Sequence, residues 1–585
     1  MSRLTPTQSR LYSTNLGSFH TIAALSEDHI NKSFKAMYEL ALIDDPQSPI
    51  CNFNIPHNAA GFIKDAVLKP PRIKLLVAGG ETSTLLYYLA FDKGELNLYE
   101  SDDRADQTTK TFQVKDWVFV FKIDLVQKGI AKDTDEYKKY APRVPYPNGT
   151  FSLSKLFLDA STAKMSGAST DAESKFGDTD WSKENATVRS NWSAFVIKWV
   201  ALAAEKGQTL IGLQPTPDKN LTEATYPPTF VQKQTYAWLD PESSSPQAQD
   251  GNPQNALMYL CMTDNQDPPS PPRLEAHSGT WISTKDNIKG TFAMSADRFW
   301  GVWLLPTLNE FNKKLQFYFK PCKASAWWDD GTPYVNSTYY PAMGGPLPAA
   351  FPQAAFSKGD LPRANLPSDR GLGRTLTPDT QGAARYYWLG PVISDSDSDQ
   401  NGSAWPHGRL RMQSQQQMYN WSAIWFSPGS DTITFEGKGG CYLRDDLLGS
   451  DTPAWTTGEQ FYLNLTFKVV IKIVDIAGGA LNLKIQDADN VDKIYTLTGD
   501  HSDSLGGTIF PRRFDTYYTN VKNYLNAQIG YNVKDAVAQL EKVLNHEHKL
   551  ILPGAGEYLF EKGTFNNNGD FLAQIHFNGT DAPGQ

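Results

Sequence analysis

The side chains that could do chemistry are few and scattered. Asp395, Asp397 and Asp399 alternate with serine, the spacing at which a calcium loop offers its first carboxylates. Such a loop needs glycine at its sixth position and glutamate at its twelfth, and here these are Gln400 and Pro406. The run is therefore read as a solvated acidic loop. His546-Glu547-His548 offers two imidazoles without a third ligand. It ends a helical pattern, where a protonated histidine complements the helix dipole, so no metal site is expected. Gly371-Leu372-Gly373 and Gly437-Lys438-Gly439-Gly440 lack the third glycine or the spacing of a phosphate-binding loop, and both are read as turns. No nucleophile elbow, zinc-protease helix or Walker loop occurs. No catalytic residue and no cofactor is expected. Trp327-Trp328-Asp329-Asp330 and Tyr339-Tyr340 could stack on sugar rings, and the plainer reading is aromatics that pack a loop.

Composition narrows the classes. The 585 residues suggest roughly two to four domains. A balance of 55 basic against 64 acidic residues, net charge −9, lacks the basic footprint of a nucleic-acid binder. Cys51, Cys261, Cys322 and Cys441 are far apart and form no CxxC pair, so neither a disulfide framework nor structural zinc is expected. No apolar run is long enough for a transmembrane helix. The polar start Met1-Ser2-Arg3-Leu4-Thr5-Pro6 carries no ordinary secretory signal. The expected location is cytoplasmic, or outside the cell after release without such a signal.

The elements follow from periodicity. Residues 16–25 read as a lead-in to an N-cap at Ser26, with Glu27 and Asp28 in the first helical turn. Ile30, Phe34, Met37 and Ala41 follow at helical spacing. Residues 73–78 and 85–91 flank a turn-rich segment and are read as paired strands, with 95–99 a further strand after Gly94. Trp117, Phe119, Phe121, Ile123 and Leu125 alternate with Lys122 and Asp124, the mark of a strand with one buried face. A polar loop is expected over 160–190. A second helix places Trp192, Phe195, Val196, Trp199 and Ala203 on one side and stops at Gly207. Residues 241–255 read as a connection and 256–262 as an apolar strand. Ser295 is expected to cap a third helix bearing Phe299, Trp300, Leu304 and Leu305, broken at Pro306.

Residues 340–405, dense in Pro, Gly, Ser and Asp, read as loop. Residues 461–473 alternate without a break, and 13 residues extend roughly 43 Å, far beyond an ordinary strand. A last helix carries Val533, Val537, Leu540 and Leu544, and a hairpin about residues 557–577 closes the chain.

The apolar helix faces are by default core stripes. The functional alternative is a helix lying in a curved sheet with a greasy seam open to acyl chains. The candidate seam residues are Ile30, Phe34 and Met37, then Trp117, Phe119 and Phe121, then Trp192, Phe195 and Trp199. Trp300 and Leu304, with Val537, Leu540 and Leu544, complete the set.

Several segments, in order, carry a resemblance. They are HTIAALSEDHINKSF (20–34), LFLDASTAK (156–164), NALMYLCMTDNQDPPSPP (255–272), FAMSADRFWGVWLLPTL (292–308) and LILPGAGEYLFEKGTFNNNGDFLAQIHF (550–577). Together they resemble the P-forty-seven/OrfX group of accessory proteins encoded beside botulinum-type neurotoxins. Residues 320–455 depart from that pattern. The group belongs to the tubular lipid-binding (TULIP) superfamily. The resemblance implies an α+β fold of long, highly curved antiparallel sheets wrapped around amphipathic helices, elongated and two-lobed. A first lobe would span 1–320. A Pro/Gly-rich insertion and the start of the second lobe would fill 321–455, and 456–585 would complete the architecture. The implied function is non-catalytic binding of a lipid or other apolar ligand. The alternatives are a toxin-accessory scaffold that binds a partner protein, or an enzyme with an unrecognised site acting on an apolar metabolite.

Overall fold

The Ser26 hydroxyl accepts from the His29 N–H at 3.1 Å and opens an 18-residue helix, as its position before an acidic first turn predicts. The structure, a computed structural model, describes residues 3–53, 55, 58–78, 84–101, 108–141, 151–164, 172–217, 228–274, 277–329, 332–343, 355–361, 385–401, 410–449, 456–477, 480–503, 513–544 and 558–577. His546-Glu547-His548, Gly371-Leu372-Gly373 and residues 79–83 of the segment read as turn-rich lie outside the described residues.

In chain order the elements begin with α1 (Pro6–Ser13), β1 (Thr21–Ser26), α2 (Glu27–Asp44), β2 (Gly61–Leu68), β3 (Arg72–Leu75), β4 (Thr84–Tyr99), β5 (Thr109–Gln113) and β6 (Val118–Ile130). Next come α3 (Asp135–Tyr140), β7 (Phe151–Lys164), α4 (Ala186–Glu205), β8 (Leu210–Pro217), β9 (Pro228–Tyr236), β10 (Ala256–Thr263) and β11 (Gly290–Met294). A π-helix (Asp297–Leu304) leads into α5 (Leu305–Lys314), β12 (Phe317–Asp329), β13 (Thr332–Met343), β14 (Ser357–Lys358), β15 (Tyr386–Leu389) and β16 (Ile393–Asn401). The remainder is β17 (Leu410–Trp425), β18 (Thr432–Gly449), β19 (Thr456–Ala477), β20 (Ala480–Ile485), β21 (Tyr495–Asp503), α6 (Arg513–Leu544), β22 (Tyr558–Phe565) and β23 (Phe571–Phe577). The fold is α+β, with long, curved antiparallel sheets on amphipathic helices.

The chain forms two compact units. The first is Met1–Asp297, Asp475–Leu481 and His548–Gln585, and the second is Arg298–Val474 and Asn482–Glu547. In the first unit one sheet runs β2-β4-β6-β7-β8, with β3 and β5 also on β4. Its other strands run β9-β10-β1-β11-β23-β22. The last hairpin falls here, away from the 456–585 segment the sequence assigns it to, because β23 pairs with β11. The Asn566 side chain also donates to the Thr14 carbonyl at 3.0 Å. In the second unit β14-β15-β17-β18-β19 form a sheet, β16 adds to β17, and β20 and β21 add to β19. β12 and β13 form a separate hairpin there.

Several sequence readings hold. β3 pairs with β4, Ile73 opposite Tyr87. On β19 every second residue from Phe461 to Ile473 is buried, and the strand runs on to 22 residues. α4 buries Trp192, Phe195, Val196, Trp199 and Ala203, and Gly207 follows it with φ +77°.

Others are corrected. The lead-in at 16–25 contains β1, a central strand between β10 and β11 buried along its whole length, so it shows no alternation. The polar start is helical: Thr5 and Gln8 form a capping box around Pro6. Residues 160–164 belong to β7, and 186–190 to α4. Pro306 does not break a helix capped by Ser295. The wide turns of the π-helix end beside it, and it sits in the first turn of α5, where a missing N–H costs nothing. The 340–405 stretch holds the end of β13 and all of β14, β15 and β16. Gly437-Lys438-Gly439-Gly440 is not a turn but the middle of β18. A Cβ on Gly437 would lie 2.3 Å from the Phe467 ring, and one on Gly439 2.6 Å from Phe317, so aromatic rings occupy the space that side chains would take.

Candidate functional site

Three features close open strand edges with side chains. On α2, Glu27 and Asn31 lie one turn apart. The Leu75 N–H donates to Glu27 Oε2 at 2.8 Å. Asn31 accepts from the Ile73 N–H at 2.7 Å and donates to the Ile73 carbonyl at 3.0 Å. The helix thereby caps the free edge of β3. In the second unit Asn420 treats Phe317 alike, accepting from its N–H at 2.8 Å and donating to its carbonyl at 3.0 Å. The third is the Asp395-Asp397-Asp399 run. It is not a solvated loop: it lies on β16, and its carboxylates accept from the N–H groups of Cys322, Ala324 and Ala326 at 2.7, 2.9 and 2.8 Å.

Glu27 is the most perturbed of these acids. Burial pushes its carboxyl up to about 7, against the pull of the Leu75 N–H and of Lys74 and Arg72. Asp250 faces it as well and adds to the rise. A raised folded value means stability that is complete below the unfolded value, near 4.5, and lost as pH rises through about 7. Stability measured by denaturant is expected to fall by roughly 1–1.5 kcal/mol between pH 6 and pH 8.5 through this group. Glu27→Gln keeps an acceptor for Leu75 and is expected to flatten that slope. An unchanged slope would exclude Glu27 as its source.

The candidate seam residues of the first unit converge on one aromatic wall. α4 lays Trp192 on Phe119 of β6 at a centroid separation of 4.1 Å. Phe53 stacks on Trp192 at 5.3 Å and on Trp199 at 5.7 Å. Tyr87 touches Phe121 at 5.1 Å, Trp199 at 6.2 Å and Phe34 of α2 at 6.4 Å. Trp117 meets Phe119 at 5.8 Å. Phe195 and Ile30 are buried on the same helix faces. Met37 goes elsewhere, packing with Tyr38, Ile50 and Cys51.

Burial raises the Tyr87 hydroxyl above its ordinary value. The Trp199 indole donates to the Pro49 carbonyl at 2.7 Å. The Trp192 indole N–H, fully buried, finds no acceptor among the described residues. Sequence reasoning missed Phe53, Tyr87, Phe91, Phe176 and Trp181, all part of this wall. Tyr87 and Phe91 lie inside a run read as strand, whereas Phe176 and Trp181 are single rings in a polar stretch with no periodicity to mark them.

The remaining candidates belong to the second unit. Trp300 stacks on Phe426 at 5.0 Å and meets Tyr386 at 5.2 Å, and Leu304 is buried one turn on. Val537, Leu540 and Leu544 are buried on α6, continuing a stripe from Val521, Leu525, Ile529 and Val533. Trp327 and Tyr339 lie on strands of the β12–β13 hairpin, not on a loop. All four cysteines are buried and none forms a disulfide. No helix among the described residues is long and apolar enough to cross a membrane.

No family model matches the sequence, and no curated protein matches it. Among solved structures the chain is similar to P47 from Clostridium botulinum A2, at 11% identity and a TM-score of 0.39, over 96% of this chain and 98% of that one. It is similar to P47 of Clostridium botulinum E1 at 11% identity and a TM-score of 0.39, over 97% and 100%. A lipopolysaccharide binding protein is similar at 10% identity and a TM-score of 0.30, over 96% and 99%. The group named from the sequence segments is that of the first two proteins.

Proposed function

We propose that the protein binds a lipid or other apolar ligand between helix and sheet, without converting it chemically. The observation that carries this reading is the aromatic wall of the first unit. The α4 face of Val188, Trp192, Phe195, Val196 and Trp199 meets rings from the sheet and presents no charge. An acyl chain lodged there would meet carbon on both sides and strand no polar group of its own. The orphaned Trp192 N–H marks how apolar the seam is, since a buried indole ordinarily finds an acceptor. The rings are closed on one another, so loading requires α4 to shift, with ligand binding supplying the difference between closed and open states.

A second reading has one observation behind it. Leu40, Leu42 and Ile43, at the end of α2, are 61%, 42% and 78% exposed, which favours a partner protein over a small ligand.

Native mass spectrometry of the purified protein, followed by organic extraction, separates the two. The expected result is one apolar molecule per chain, lost from Trp199→Asp while circular dichroism confirms that the variant is folded. A wild-type protein that emerges empty and stays empty with added lipid would end the ligand reading and leave the partner reading.

A further inference from the structure

A row of polar side chains crosses three strands of the first unit on one face. Thr291 of β11 lies opposite Gln574 of β23, and Gln574 lies opposite Glu561 of β22. Residues paired in this way stand roughly 5 Å apart and point to the same side of the sheet. His576, two residues beyond Gln574, shares that side, and its Nε2 lies 3.8 Å from Glu561 Oε2. Arg10 of α1 covers the other end of the row, its Nε donating to the Thr291 hydroxyl at 3.1 Å. Arg10, Gln574 and His576 are 4%, 8% and 8% exposed, whereas the Glu561 side chain is 42% exposed and gives the row an end open to solvent. Among the described residues, the buried atoms Arg10 Nη2, Gln574 Oε1 and His576 Nε2 have no hydrogen-bond partner. Burial pulls the Arg10 guanidinium down to about 10. Asp286, which opposes that fall, is already bonded to the hydroxyls of Thr7 and Ser283. A buried guanidinium without a bonded carboxylate, in one row with further orphaned polar atoms, is costly unless something meets it.

We propose that this row binds a small zwitterion, its phosphate or carboxylate on Arg10 and its primary ammonium among Glu561, Gln574 and His576. A primary ammonium carries three N–H donors and no acceptor. The Glu561 carboxylate, the Gln574 carbonyl oxygen and, in the tautomer with its hydrogen on Nδ1, the His576 Nε2 are three acceptors for it. Arg10 Nη2 supplies a charged donor for the anion. The two ends of the row are about one strand spacing apart, roughly 5 Å, which a two-carbon linker between the charged groups spans. A plain anion would meet Arg10 but face the Glu561 carboxylate and the Gln574 oxygen, and a plain amine would leave Arg10 unmet. The row lies on the β11-β23-β22 part of the first unit and shares no residue with the α4 wall, so it stands independently of the apolar-ligand reading.

The test is calorimetry on the full chain with three probes, and thermal midpoints measured ligand-free. Phosphoethanolamine is the first probe. β-Alanine keeps its spacing and offers a carboxylate, and phosphocholine keeps its phosphate but has no N–H on nitrogen. Saturable one-to-one binding of phosphoethanolamine or β-alanine is expected, the tighter of the two identifying the anion. Phosphocholine and inorganic phosphate are expected to bind roughly tenfold more weakly or worse. Arg10→Met is expected to remove the binding. Gln574→Leu is expected to lower affinity roughly tenfold while its midpoint holds or rises, since it deletes a buried oxygen that has no partner. Glu561→Gln changes a more exposed side chain and is expected to weaken binding through the lost charge, which keeps the test open if the other variants do not fold. Phosphocholine or inorganic phosphate binding as tightly as the zwitterions would overturn the ammonium assignment. A wild-type protein that binds neither zwitterion would overturn the site, as would binding that survives the substitutions. A lowered midpoint in Gln574→Leu with binding intact would make the amide structural and overturn its place in the site. Each of these outcomes leaves the apolar-ligand reading standing, and an empty seam would leave this site standing.

Discussion

Alanine at Asp395, Asp397 and Asp399 together is expected to loosen the β12–β13 hairpin and to cost roughly 3–6 kcal/mol. The three bonds join Cys322, Ala324 and Ala326 to residues a constant 73 positions ahead, so β12 and β16 run in the same direction and in register. Alternate residues of a strand point their N–H groups to one edge, and this edge is the one β13 does not cover. The Lys320 carbonyl, on the same edge, accepts from Gln416 Nε2 at 2.8 Å. Side chains thus stand in for a missing neighbouring strand. The carboxylates are partly solvated, which puts each bond at the lower end of the charge-assisted range. Asparagine at the same positions keeps an acceptor and loses the charge, so its effect is expected to be less than half as large. Amide exchange over 317–343 is the direct readout, and protection that survives the triple substitution would contradict the assignment.

Acid should act the same way. Burial tends to raise the Asp395 carboxyl, but the Cys322 N–H and the Gln416 amide outweigh it and hold the group below its ordinary value. A depressed folded value contributes stability present above about pH 4 and lost as pH falls through the folded value.

That ladder shows where sequence reading stops. Elements with one buried face were legible: α2 from Ser26 and its apolar stripe, α4 from Trp192 to Ala203, β19 from thirteen alternating residues. β1 and β10 are buried on both faces and carry no period, so β10 is legible only as an unbroken apolar run and β1 is not legible at all. Asp and Ser are poor strand formers, so the alternation of Asp395, Asp397 and Asp399 reads as a solvated acidic loop instead of a strand period. What makes it a strand is β12, about seventy residues earlier, and no local window contains that. The glycines at 437–440 likewise make sense only once the rings of Phe467, Phe317 and Tyr419 lie over them. For the seam, the helix faces were visible in the sequence, whereas Phe53, Phe176 and Trp181 come from irregular segments that only tertiary packing brings to the wall. The placement of the last hairpin beside β11 is similarly a long-range pairing.

Trp192→Ala is expected to destabilise the first unit by about 3–5 kcal/mol, because the indole is fully buried against Phe53, Phe91, Phe119 and Trp181. Trp192→Phe should cost much less, since it also removes an indole N–H that has no acceptor. Trp199→Phe should be the worse of the two phenylalanine changes, because it strands the Pro49 carbonyl now bonded at 2.7 Å. That order is measurable by chemical denaturation, and the reverse order would mean that the Trp192 N–H is satisfied in solution. The alanine variant also bears on the ligand. A void lined by phenyl and indole rings stays dry and accepts apolar molecules. If the wall is where an acyl chain lodges, Trp192→Ala should recover part of its lost thermal stability when a fatty alcohol is added, through binding to the folded state alone. A wall that is only core would bind the small probe benzene in the same void yet reject the long chain, because admitting the chain requires α4 to part from the sheet along its length and not merely at one residue.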